Sequence, residues 1–142
     1  MNRTFSLTGL LRVRKVQERE AAQRLSRAAI EERQAQARER QLRTALGTGV
    51  DEEAMDAAAL AALAASRAAG RALLGELAGV AEIRRHELTA AQTAHGRRRR
   101  EVRGLEKLAD AHDRDLRAED LRAEQAEIDE IAGRTRREEA MS

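Results

Sequence analysis

Three histidines, His86, His95 and His112, are the side chains in this sequence best suited to proton transfer or metal ligation. A general base or nucleophile must sit in a cleft that shifts its pKa, and a metal needs three or four ligands converging on one point. The histidines share no i, i+4 spacing. Glu82 and His86 lie one helical turn apart, but two ligands on one exposed face make a weak metal site, and an ordinary surface turn is the better reading. No glycine-rich phosphate loop of the Walker or dinucleotide type is present, and the chain has no cysteine for a thiolate site or a disulfide. The residues point to no enzyme, no metal, no cofactor and no small-molecule ligand.

Arg97-Arg98-Arg99-Arg100 is the most conspicuous run. Clustered arginines can neutralise phosphates, so a nucleic-acid-associated helical protein is one reading. Four consecutive residues of a helix point in every direction, however, and form no stripe that could face a groove. No aromatic side chain stands nearby to stack on bases. An acidic protein partner suits the run better, because the guanidinium fork matches carboxylates. Nucleic acid is not an expected partner.

The elements that must carry these residues follow from composition. In 142 residues there is one aromatic, Phe5, and no Trp or Tyr, while 42% of the chain is hydrophobic and 37% charged. Dominance of Ala, Glu, Leu and Arg is the signature of a long helix or coiled coil. Low hydrophobicity with high charge also describes disorder, but the net charge is only +2 and the abundant residues are strong helix formers. Proline, which would stop a helix, is absent. The start, Met1 to Leu7, has no sustained apolar run behind its basic residue, as a signal peptide requires. The nearest approach to a membrane span is Ala54 to Ala69, interrupted by Asp56, Ser66 and Arg67. A cytosolic chain is expected.

Strong turn chemistry occurs once, at Gly47-Thr48-Gly49-Val50-Asp51. A left-handed glycine is expected to close the first helix, and Asp51 to cap the second, with Glu52 and Glu53 placing negative charge in its first turn. The prediction is an all-α fold: a long antiparallel two-helix coiled-coil hairpin whose second helix is the longer. One coiled-coil domain spans 1–142, with helix 1 over about 6–46, a turn over about 47–51 and helix 2 over about 52–137.

A heptad seam supports both helices. In the first it reads Leu7, Leu11, Arg14, Glu18, Ala21, Leu25, Ala28, Glu32, Ala35, Glu39, Leu42, Leu46, of which eight of 12 are apolar. In the second it runs from Leu60 through Leu74, Ala81, Leu88, His95, Val102, Leu105 and Leu116 to Ala126, again in alternating steps of three and four. Val13 and Val16 lie off the first seam and form a second apolar edge. Leu121, Ile128 and Ile131 lie off the second, as a stutter or another face. Glycines at 70, 75, 79, 96 and 104 each cost about 1 kcal/mol in a helix and mark weak points. At 1.5 Å per residue the helices would run roughly 60 and 130 Å, so the first can cover only the near half of the second. From about Gly96 onward, a bare seam carrying Val102, Leu105, Leu108 and Leu116 is then expected to serve as a docking surface. A bend near Gly70 to Gly79 is the alternative, and would let the two ends pair fully.

Several stretches resemble one family. Phe5-Ser6-Leu7 leading into Leu10-Leu11-Arg12-Val13-Arg14-Lys15-Val16-Gln17-Glu18 looks like the opening of the flagellar export protein FliJ. Arg100-Glu101-Val102-Arg103 running into Leu105-Glu106-Lys107-Leu108, and Glu124-Gln125-Ala126-Glu127-Ile128-Asp129-Glu130-Ile131-Ala132 followed by Arg134, resemble that family's later motifs in order and spacing. Residues 50–94 contribute least. The resemblance implies a non-catalytic component of the flagellar type III export apparatus, similar to the central stalk of a rotary ATPase. It further implies that the terminal region enters the ring of the export ATPase through Leu105, Leu108, Asp129, Glu130 and Arg134 with Arg12 and Arg14. The turn-proximal part would face the membrane export gate, and export chaperones would also bind. Such a protein is cytoplasmic and peripheral to the inner membrane only through its partners. The alternatives are the stalk of a virulence-type secretion system or another rotary ATPase, which gene neighbourhood would separate, and the nucleic-acid reading, which a steep fall of binding with salt would support.

Overall fold

A computed structural model describes residues 4–141. The chain is 92% helical, with two helices and no strand among the described residues, as expected for a helical hairpin. Helix α1 spans Thr8–Leu46 and helix α2 spans Ala57–Met141. Of the opening segment Met1 to Leu7, residues 1–3 lie outside the described residues.

The connection differs in detail from its sequence reading. Asp51 makes no side-chain cap. It precedes a single 3₁₀ turn, Glu52–Ala54, and α2 starts three residues later. The residue that caps α2 is Asp56, whose Oδ1 accepts from the Ala59 N–H at 2.7 Å, satisfying a donor that the first turn of a helix leaves free. Nor is any described glycine left-handed. Instead α1 ends in tightened turns: Gly47 N–H donates to Arg43 O at 3.1 Å, and Thr48 donates through its N–H to Ala45 O and through its hydroxyl to Thr44 O. With a threonine hydroxyl and i→i+3 bonds satisfying the last carbonyls, a positive φ is not needed.

The chain divides into two units, Glu18–Arg98 and Met1–Gln17 with Arg99–Ser142. In the first, α1 and α2 run antiparallel and are pinned by polar and charged side chains at several levels. Glu18 Oε1 lies 3.1 Å from His95 Nε2, Glu31 Oε2 is 3.3 Å from Arg84 Nη1, and Glu52 of the connection is 2.6 Å from Arg67. The Arg84 guanidinium is held further toward its charged form by its hydrogen bond with Glu87, then by the charges of Glu87 and Glu31. These pairs are half-exposed, so solvent screens them and each adds little to stability. Their value lies in register, since a slip of one heptad would part all of them.

The heptad seam of α1 is read correctly throughout. All 12 of its positions are buried or half-buried, with Ala21, Glu32 and Ala35 the most enclosed. In α2 the seam is covered from Leu63 through Ala81 and Val102 to Leu116, and exposed at Glu119, Ala123 and Ala126. The expectation of a bare seam from Gly96 is therefore corrected. Val102 is 9% exposed, and Leu105, Ala109, His112 and Leu116 are half-buried. In the first unit α1 ends with Leu46 against Gly70 rather than against the start of α2. In the second unit the chain preceding α1 still reaches α2 as far as the Phe5–His112 ring contact, centroids 5.6 Å apart.

Helix α2 runs unbroken through Gly70, Gly75 and Gly79, so the bend is not formed. At Gly70 a side chain would collide with Leu46, whereas Gly75, Gly79 and Gly104 face open space. Gly75→Ala, Gly79→Ala and Gly104→Ala should each stabilise the helix by about 1 kcal/mol. Gly70→Ala should gain less, because Leu46 has to move. Urea midpoints of the four variants test this, and an equal gain at Gly70 would show that Leu46 does not depend on the missing Cβ.

One further feature of α2 goes beyond the sequence reading. It contains an 18-residue window of mean hydropathy 1.3 with no more than two charged side chains, none of it buried. By length and hydropathy alone such a helix is apolar enough to cross a membrane.

Candidate partner-binding surface

The depressions lined by described residues are open rather than enclosed. The depression beside the connection, lined by Leu46, Gly47, Thr48, Gly49, Arg67 and Arg71, is open to solvent. Glu82 and His86 meet at 3.2 Å on an exposed turn, and no group of three or more His, Cys, Asp or Glu among the described residues could hold a metal ion. Arg97, Arg99 and Arg100 are exposed, whereas Arg98 takes a half-buried seam position. What remains able to recognise a partner is helix surface.

The sequence-predicted residues all fall in the second unit, in two groups. Arg12, Arg14, Leu105 and Leu108 belong to the part where α1 and α2 pack. Arg14 is half-buried, donating to Gln17 Oε1 at 3.0 Å and lying 3.5 Å from Glu101 Oε2. Arg12 is exposed, Leu105 is half-buried in the seam, and Leu108 is 53% exposed beside it. Lys15 and Glu106, 3.9 Å apart, close the other edge of the same interface. Asp129, Glu130 and Arg134 lie where no α1 residue covers α2. Asp129 accepts from Gln125 Nε2 at 3.0 Å, and Glu130 accepts from Arg134 at 2.7 Å. At 1.5 Å per residue, Leu108 and Asp129 stand roughly 30 Å apart along one helix. The structure does not gather the seven residues into one patch.

A family model for the flagellar FliJ protein matches residues 3–140. The chain belongs to the FliJ family. As a FliJ family member it is a flagellar export-related protein, from a family that is non-catalytic. No curated protein and no solved structure matches it.

Within this FliJ chain the exposed apolar side chains mark surfaces that the site prediction left out. Leu10, Val13 and Val16 form an exposed edge of α1 in the second unit, 40%, 52% and 41% accessible. Leu121, Ile128 and Ile131 are still more open, at 65%, 58% and 55%. In the first unit, Leu73, Val80 and Ile83 are also exposed at spacings that place them on one side of α2. The off-register position of Val13, Val16, Leu121, Ile128 and Ile131 was the signal for two of these edges.

Proposed function

We propose that this FliJ family protein acts as the stalk of the flagellar type III export apparatus. It binds the export ATPase ring through its second unit, contacts the membrane export gate through the first, and engages export chaperones. In this reading it is cytoplasmic, catalyses no reaction, and meets the inner membrane only through partners. The observation that supports it most is the stretch of α2 after Leu116, a helix with no α1 side chain over it and with Leu121, Ile128, Ile131 and Met141 open to solvent. A protein keeps such a face when another protein covers it in the working assembly. Exposed Leu73, Val80 and Ile83 support a separate contact for the gate in the first unit. Arg12, Arg14, Leu105, Leu108, Asp129, Glu130 and Arg134 are proposed as ATPase-facing residues, in the two groups described above.

The test is a pull-down and turnover assay with the same organism's flagellar export ATPase. The full chain should co-purify with the ATPase and raise its turnover. Absence of both binding and stimulation would refute the stalk reading.

A further inference from the structure

Every residue from 117 to 141 except Gly133 is exposed, although the segment is continuous helix. We infer that this segment pairs antiparallel with the same segment of a second copy of the chain. Leu121, Glu124, Ile128, Ile131 and Thr135 follow alternating steps of three and four, the spacing of a two-helix seam. This seam is distinct from the one α1 covers as far as Leu116, whose register continues through exposed Glu119, Ala123 and Ala126 on another side of the helix. Leu121, Ile128 and Ile131, all more than half exposed, supply its apolar content.

Charge chooses the occupant and its direction. Residues 119–130 carry Glu119, Asp120, Glu124, Glu127, Asp129 and Glu130 against Arg122 alone, and residues 134–137 carry Arg134, Arg136 and Arg137. A parallel, in-register pair would set each seam residue against its own copy and bury Glu124 against Glu124, which is strongly unfavourable. An antiparallel pair with Leu121 across from Ile131 of the second copy avoids this. It repeats the Leu–Ile contact twice and stacks each Ile128 on the stem of the other copy's Glu124. Two Asp120–Arg134 pairs then flank the seam, and one unfavourable meeting remains, Glu127 with its own copy at the twofold axis. Arg134 now pairs with Glu130 of its own helix at 2.7 Å, both largely exposed, and such surface pairs exchange at little cost. The pairing stands independently of the stalk reading, and it covers the face that reading assigns to the ATPase.

Sedimentation of the full chain over a concentration series tests it. The wild type should pass from monomer to dimer as concentration rises. Ile128→Asp should remain monomeric with its helical circular dichroism intact. Asp120→Arg and Arg134→Asp should each weaken the dimer, their combination should restore it, and Glu127→Gln should tighten it. A chain monomeric at every concentration, or a dimer indifferent to Ile128→Asp, would overturn the inference. So would a charge swap that does not restore association, and so would a chain monomeric alone that uses Ile128 only to hold the ATPase.

Discussion

Ala81→Leu is expected to destabilise the chain by about 1–3 kcal/mol, the usual cost of forcing extra methylenes into a filled site. Ala81 is the most enclosed residue, 2% exposed, and the Arg84–Glu31 pair sets its level opposite the part of α1 that holds Glu32 and Ala35, themselves 9% and 5% exposed. Alanines and the enclosed Glu32 fill the seam there, so a leucine has to push the helices apart or twist off its rotamer. Ala123→Leu is the control. It occupies the same seam register on the part of α2 that α1 does not cover, and a change there should stay within about 0.5 kcal/mol. Urea denaturation of both variants decides the matter. If Ala81→Leu raises the midpoint, the alanines are loosely packed and the seam has room to spare.

The second large effect concerns partner binding and separates two leucines that periodicity alone cannot. Leu108 is 53% exposed, so Leu108→Asp should leave folding nearly unchanged. On the stalk proposal it should weaken binding to the export ATPase by roughly tenfold or more, as expected for removal of an apolar anchor. Leu105 is half-buried one turn below Glu101, which Arg14 holds. Leu105→Asp should therefore cost about 1–3 kcal/mol of stability by putting a carboxylate in the seam. Loss of ATPase stimulation in that variant would mix unfolding with lost contact. Titration calorimetry on folded Leu108→Asp gives the clean answer. Binding retained by Leu108→Asp but lost by Leu121→Asp/Ile128→Asp would move the proposed docking surface to the uncovered segment.

Packed faces are more legible in this sequence than element boundaries. All 12 seam positions of α1 turn away from solvent because a heptad pattern is written into each helix separately, whatever its partner does. Arg14, Glu18 and Glu32 belong to that face although they are charged, since the ion pair to Glu101 and the hydrogen bond with His95 let the first two lie against α2. The covered seam ends after Leu116, not at the expected Gly96. A composition-rich turn at Gly47 to Asp51 suggested that α2 begins at once, and Asp56, the actual cap, carried no turn residues beside it. The candidate partner surface was legible only as deviations: Leu121, Ile128 and Ile131 were visible because they break the register. Their exposure was not visible, because no pattern within α2 says where α1 stops.

By itself, the sequence determines two long helices, the stripe each one buries and, through ordered motifs along the chain, membership of the FliJ family, because helix propensity and periodicity are local properties of the chain. The tertiary structure decides how far α1 reaches along α2, and with that which leucines are core and which are surface. Register is a relation between helices. It is set by the length of the connection, by Leu46 settling on Gly70, and by cross-helix pairs such as Glu31 with Arg84, none of which has a signal at one position of the sequence.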